Sequence, residues 1–175
     1  GTFRMLDESE IDSSILAAIG GAIAWIFAPL GWGNWQATVA SITGLVAKEN
    51  IVGTLGILYG GGDGSVYDAM AAAFTGITGY SFLVFNLLCA PCFAAIGAIK
   101  REMNNGKWTA IAIGYMCLLA YCASLVVYQI GGLITGEVGF NIFTIVAVAI
   151  IVFTIYMLVR PNKYLNDNEV KIDVK

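Results

Sequence analysis

Two charged residues and an amide, Lys48, Glu49 and Asn50, stand side by side in an otherwise apolar stretch of the chain. A lysine or an aspartate at the centre of a membrane helix costs about 2.5–3.5 kcal/mol on insertion scales. Neighbouring helical residues point about 100° apart, so the two charges cannot neutralise each other. The trio predicts either a helix break at a polar cavity, as in ion transporters, or a structural ion pair or interfacial position.

The run NLLCAPC supplies a second group of polar atoms inside apolar sequence. Pro91 has no N–H, which leaves the carbonyl of Leu87 without its usual helical partner. Cys89 and Cys92 are three residues apart and are expected to share one helix face, close to Asn86. Thiols, an amide oxygen and a free carbonyl together favour a borderline or soft cation such as Fe²⁺, Zn²⁺ or Cu⁺.

The cysteines allow two other interpretations. A Cys-x-x-Cys pair is also a redox motif, although that chemistry normally uses a thioredoxin-like βαβ unit, which this sequence does not predict. Cysteine also packs as a small apolar residue, and this is the favoured interpretation for Cys117 and Cys122, which have no polar neighbours. The chain has no histidine, which excludes imidazole metal sites and histidine-based catalysis.

The elements that position these residues are membrane helices. The chain is 58% hydrophobic and 12% charged, whereas soluble domains carry about a quarter charged residues. Charged side chains are absent from residues 13–47, 69–99, 108–136 and 138–159. About 20 apolar residues span the hydrocarbon, and these runs are continuous rather than alternating. The sequence therefore predicts an all-α integral membrane protein.

We expect about five transmembrane helices, with one interrupted helix and one short interfacial or re-entrant helix. The predicted spans are 13–30, 35–59 with an interruption at 48–50, 80–99 with a kink at the proline, 108–134 and 139–159. The short helix is predicted at 69–79. Trp32 and Trp35 lie near predicted span ends and are expected to be interfacial anchors.

The predicted domains are an acidic extracytoplasmic stretch at 1–12, a polytopic membrane domain at 13–159 and a basic or polar cytoplasmic tail at 160–175. Lysine and arginine are concentrated in the loop 100–107 and in this tail. The loops around Asp63 and Glu137 carry none. By the positive-inside rule, the C-terminus should therefore be cytoplasmic.

Two stretches carry a family resemblance: WQATVASITGLVAKENIVGTLGILYG and SFLVFNLLCAPCFAAIGAIKREM. They resemble the C-terminal membrane region of FeoB, the bacterial ferrous iron transporter family, and the likeness extends over roughly 14–160. The resemblance implies a second Gate repeat in the bacterial cytoplasmic (inner) membrane. It also implies that Cys92 is the family cysteine proposed to contact iron, and that Lys48 and Glu49 belong to the family's Ala-Lys-Glu motif. Cys89 is not expected to be a family cysteine.

The resemblance further implies partners and a cargo. The expected partners are an N-terminal remainder with a GTP-binding domain and the first Gate repeat, a small FeoA-like cytoplasmic protein and the lipid bilayer, without nucleic acid. The chain has no G-x-x-x-x-G-K-[ST] phosphate loop. It is therefore expected to be no enzyme and to hold no permanent cofactor, with Fe²⁺ as transported substrate. Whether it forms a homo-oligomer is left open.

The favoured hypothesis is a segment of a ferrous iron transporter. Its ion path would be lined by Cys92, Cys89, Glu49, Asn86 and Asn50, with Lys48 as supporting charge and Pro91 as helix breaker. Since a cation repels Fe²⁺, Lys48 should be paired with a carboxylate or with carbonyls from another helix. Two alternatives stay open: a membrane thiol oxidoreductase using Cys89 and Cys92, and a Gate-type nucleoside transporter.

Overall fold

The computed structural model describes residues 15–60 and 65–160. Within these ranges the chain consists of helices and short connections. The helices are α1 (Ile15–Ala24), a 3-10 helix (Trp25–Leu30), α2 (Trp35–Thr43), α3 (Asn50–Gly60), α4 (Val66–Ala73), α5 (Gly76–Leu88), α6 (Phe93–Met103), α7 (Gly106–Thr135) and α8 (Ile142–Val159). The predicted all-α class is confirmed. The stretch 1–12 and all of the tail beyond residue 160 lie outside the described residues.

Three stretches are long and apolar enough to cross a membrane: Gly76–Met103, Gly106–Thr135 and Ile142–Val159. A fourth crossing would be the pair Ile15–Leu30 and Trp35–Thr43, whose two parts are bent by 98°. The described residues thus offer three or four crossings where the sequence predicted about five. The difference arises because the predicted span 35–59 is divided into α2 and α3, each too short to cross alone. The chain is a multi-pass membrane protein.

The bend between the first helices follows from local sequence. Pro29 lies inside the 3-10 helix, and Gly31 ends that helix with a φ of 90°. Left-handed backbone of this kind favours glycine. Asn34 then starts α2, because its side chain accepts a hydrogen bond of 2.8 Å from the N–H of Ala37. The chain therefore turns by 98° over a few residues.

An aromatic cluster packs the bend against α5. The ring of Trp32 stacks on Phe27 with centroids 4.4 Å apart. It contacts Phe82 edge-on and Phe85 at a tilt, with centroid distances of 5.1 and 5.2 Å. Trp32 is only 1% exposed. The prediction that Trp32 is an interfacial anchor is therefore wrong, because the bend carries this residue into the core.

Three carbonyls of the 3-10 helix accept hydrogen bonds from neutral side chains of neighbouring helices. The bonds are Tyr121 Oη to Ile26 O (2.8 Å), Gln129 Nε2 to Pro29 O (2.9 Å) and Ser81 Oγ to Leu30 O (2.9 Å). Ser81 also lies 2.7 Å from Ser124 Oγ, and both serines are fully buried. The bend is thus fastened to α5 and α7.

The short helix predicted at 69–79 is divided differently. The helix α4 ends before Phe74, and Thr75 caps α5 by accepting a hydrogen bond of 3.3 Å from the N–H of Thr78. The third predicted span consequently begins at residue 76 rather than at 80. The threonine cap explains the new start, since it satisfies an N–H group that no helical carbonyl can reach.

Candidate functional site

Two helix breaks face each other in the fold. The first break, residues 44–49, separates α2 from α3, and the second, residues 89–92, separates α5 from α6. The N–H of Phe93, at the start of α6, donates a hydrogen bond of 2.9 Å to the carbonyl of Leu45. A backbone contact therefore joins the two breaks directly.

Lys48 connects the breaks a second time. Its Nζ donates to three backbone carbonyls, those of Asn86 (2.9 Å), Leu87 (3.1 Å) and Cys89 (3.3 Å). These carbonyls form the C-terminal end of α5, where unpaired C=O groups and the helix dipole produce negative charge. An ammonium has three N–H donors, so the contact uses all of them. In the described parts of the chain Lys48 pairs with carbonyls and with no carboxylate, one of the two pairings expected.

The second break interrupts the helix for four residues, where the sequence predicted a kink. Pro91 cannot donate to Leu87 O, and that freed carbonyl is one of the three that bind Lys48. Cys89 and Cys92 adopt extended backbone with ψ of 165° and 161°. The prediction that these cysteines share a helix face is wrong, because α5 ends before Cys89 and α6 begins after Cys92.

The thiol that lies beside Cys89 belongs to another helix. Cys89 Sγ is 3.9 Å from Cys117 Sγ on α7, and both are half-buried free thiols. The sequence had favoured a merely apolar role for Cys117. No local signal could have paired these residues, because the contact depends on how α5 and α7 pack.

The Asn86 side chain is used within its own helix. Its Nδ2 donates to the carbonyl of Phe82 at 2.8 Å, while its backbone carbonyl accepts from Lys48. Asn86, Lys48 and Cys89 also line a small cavity between the two breaks, together with Ser41. Three of the predicted site residues are thus brought together, and the oxygens involved are mainly backbone carbonyls that accept hydrogen bonds.

Glu49 and Asn50 lie elsewhere. Both are exposed and line an open pocket of about 350 Å³ with Thr43, Gly53 and Thr54. Within the described residues Glu49 makes neither a hydrogen bond nor an ion pair. The predicted set is therefore divided, because three of its members line the small cavity and two line this open pocket. Cys92 and Pro91 line neither.

Cys92 precedes the first turn of α6, is half-buried and caps no backbone N–H with its side chain. Among the described residues, no group of three or more Cys, Asp and Glu side chains is placed to hold a metal ion. The donors near the breaks are carbonyl oxygens and individual thiols. A set of this kind suits an ion that must bind and leave again, since conduction requires release as well as binding.

The chain is similar to known proteins over most of its length. Residues 5–106 match the family model named Gate, described as nucleoside recognition. The Fe(2+) transporter FeoB of Staphylococcus aureus (strain COL) is 37% identical over 123 residues, which are 70% of this chain and 18% of that protein. The Fe(2+) transporter FeoB of Methanocaldococcus jannaschii is 40% identical over 124 residues, 71% of this chain and 18% of that protein.

A third relative is the Fe(2+) transport protein A/Fe(2+) transporter FeoB fusion protein of Porphyromonas gingivalis. It is 31% identical over 135 residues, which cover 69% of this chain and 16% of the fusion protein. No solved structure gives a significant match. The chain spans less than a fifth of the length of these relatives. The family model covers more than half of the chain, which therefore belongs to the Gate family and has a Gate region of the kind found in FeoB ferrous iron transporters.

Proposed function

We propose that this chain forms part of the pathway through which a FeoB-type transporter moves ferrous iron into the cell. The observation that carries the proposal is the pair of facing helix breaks, joined by Lys48 and by the N–H of Phe93. Broken membrane helices bring freed carbonyls and helix ends to an ion that has lost its water. The cargo is suggested by the relatives, which are Fe(2+) transporters.

Within this pathway each predicted residue receives a role. Glu49 and Asn50, in the open pocket, attract the hydrated cation and compensate its charge. Cys92 and Cys89 provide sulfur ligands at the second break, which suit Fe²⁺ better than Mg²⁺ or Ca²⁺. Asn86 contributes through its position at the end of α5. Lys48 and Pro91 hold the break open, as cation and as helix breaker.

The proposed setting is the bacterial cytoplasmic membrane with a cytoplasmic C-terminus. Lys100, Arg101 and Lys107 lie at the connection between α6 and α7, on the side where basic residues are retained. A GTP-binding domain and a first Gate repeat would come from the remainder of a FeoB-type protein. A FeoA-like partner is supported by the Porphyromonas relative, which is a fusion of the two components.

Substitutions at two separate positions test the pathway. We expect Cys92→Ser and Glu49→Gln in the full-length protein to abolish uptake of radioactive Fe²⁺ by cells without another ferrous iron transporter, with unchanged protein in the membrane. The first removes a soft ligand and the second removes a charge with little change in shape. Matched controls are Cys122→Ser and Asp68→Asn, which lie outside both breaks and should retain uptake. Normal uptake by both test variants would contradict the proposed roles.

The same cells separate the two alternatives. A nucleoside transporter would take up labelled nucleoside regardless of iron, and a thiol oxidoreductase would lose all activity with Cys89→Ser. We expect no nucleoside uptake, and partial iron uptake by Cys89→Ser. Cys89 and Cys92 belong to the ends of different helices, which does not favour the local Cys-x-x-Cys chemistry of a redox enzyme.

A further inference from the structure

A small cavity lies between the two helix breaks. Its lining includes Ser41, Gly44, Lys48, Asn86 and Cys89. The volume within which the centre of a water-sized sphere can move is about 10 Å³. That is close to the least space one water molecule needs. A dehydrated metal ion is of similar size. The cavity therefore has room for one small particle beside the Lys48 side chain.

The hydroxyl of Ser41 indicates that this cavity holds a bound particle. The residue is 9% exposed, and its Oγ is buried without a hydrogen-bond partner among the described residues. A buried hydroxyl without a partner is costly, because it has lost its hydrogen bonds to water. An occupant that bonds to Ser41 Oγ would remove this cost.

The adjoining carbonyls already bind a cation. Three backbone oxygens lie 2.9–3.3 Å from one positively charged nitrogen. Carbonyl oxygens at the end of a helix coordinate cations in transporters in the same manner. The nitrogen is attached to a flexible four-carbon stem, which can withdraw it without unfolding a helix. Lys48 itself belongs to the break 44–49 rather than to a helix.

We propose that the Lys48 ammonium is a tethered substitute for the transported ion. A divalent cation enters when the lysine side chain swings out, and it is bound by the carbonyls of Asn86, Leu87 and Cys89, the hydroxyl of Ser41 and the thiol of Cys89. The lysine returns when the ion leaves. Repulsion between like charges prevents both from occupying the site, so the carbonyls always have one cation.

This inference rests on the proposed function only for the identity of the cargo. Oxygen donors alone would suit Mg²⁺ or Ca²⁺, whereas the additional sulfur favours borderline ions such as Fe²⁺ and Co²⁺. The lysine also helps to release the bound metal ion, because its ammonium competes with the ion for the same carbonyl oxygens. A site with this property passes one ion at a time and does not stay empty between ions.

The test uses Co²⁺ as a probe with the full-length protein in detergent. Lys48→Met removes the charge and keeps a stem of similar length. We expect it to bind one Co²⁺ per chain more than the native protein, with at least tenfold tighter binding at this site. A thiolate-to-cobalt absorption band should accompany the extra ion and disappear when Cys89→Ser is added. Lys107→Met, which removes an exposed lysine, should gain no Co²⁺.

A folded Lys48→Met protein that gains no Co²⁺ would overturn the proposal, and the cavity would then hold water only. If Lys48→Met does not fold, labelling of the native protein decides. Saturating Co²⁺ should make Lys48 several-fold more reactive toward a membrane-permeant acylating reagent, and an unchanged rate would overturn the proposal. The test also separates this proposal from the proposed function. If Lys48→Met gains Co²⁺ but the native protein takes up no Fe²⁺, the exchange site stands and ferrous iron is rejected as its cargo.

Discussion

Among the described residues, two helix ends have backbone carbonyls bound by side chains from other segments, and the two are bound in opposite ways. The end of the 3-10 helix is bound by neutral side chains, among them Ser81 and Gln129, which are 0% and 3% exposed. The end of α5 is bound by the single cation of Lys48, a half-buried residue in a non-helical segment. The first arrangement is held by these buried side chains. The second can open by movement of one side chain.

The chemical difference indicates different purposes. Neutral hydrogen bonds between membrane helices contribute about 0.6 kcal/mol on average and require no buried charge. A lysine in the same environment carries a cost of about 2.5–3.5 kcal/mol at a helix centre. For capping alone, hydroxyl or amide side chains would suffice, as they do at the bend. Capping alone therefore does not require a cation at the second end, and the proposed ion exchange would account for its presence there.

Removal of the Lys48 charge should produce the largest stability change. We expect Lys48→Met to lower the free energy of unfolding by about 2–4 kcal/mol, because the ammonium leaves the carbonyls of Asn86, Leu87 and Cys89 without their donor. Thermal unfolding in detergent measures the change. Added Co²⁺ should restore most of the lost midpoint temperature through binding to the native state. A variant as stable as the native protein would show that the contact does not support the break.

Ser81→Ala should have the next largest effect, about 1–2 kcal/mol, because Leu30 O and Ser124 both lose a buried partner. Denaturant unfolding of the purified variant measures it, and Co²⁺ should not reverse it. Ser41→Ala is the matched control. Since Ser41 Oγ has no described partner to lose, this variant should not lower the free energy of unfolding. Equal losses for both serines would remove the distinction between a fixed and an exchangeable end.

Tyr121→Phe should have the smallest effect, about 0.6 kcal/mol. It deletes the 2.8 Å hydrogen bond to Ile26 O while the ring continues to fill its place. The same unfolding measurement applies, with the exposed Tyr115→Phe as a control expected to change nothing. Because the other bonds to the 3-10 helix remain, iron uptake should be unaffected. A marked loss of uptake by Tyr121→Phe would show that the bend also takes part in transport.

Much of the second break could be predicted from the sequence. Pro91 removes an N–H, so Leu87 O had to find another donor, and the isolated charge of Lys48 had to find acceptors. Both requirements are local and follow from the sequence alone. Only the structure shows that Lys48 donates to Leu87 O, because the two residues belong to different segments of the chain.

Other features of the site had no signal in the sequence. The approach of Cys117 to Cys89 depends on the packing of α5 against α7. The unpartnered hydroxyl of Ser41 depends on the shape of the space between the breaks. The separation of Glu49 from Lys48 depends on backbone angles in a turn, which a helical interpretation of 48–50 could not provide. Glu49 consequently stays a predicted site residue, but it lies in the open pocket and not beside Lys48.

The sequence by itself determined the membrane class, the helical structure and the approximate positions of the breaks. These properties follow from the cost of charge in hydrocarbon and from the missing N–H of proline, which act on each segment independently of the others. Only the tertiary structure decided that the first two predicted spans form a bent pair and short helices, and that Lys48 binds the end of α5. Those outcomes depend on contacts between segments far apart in the chain, and no local pattern specifies which acceptor a buried cation will reach.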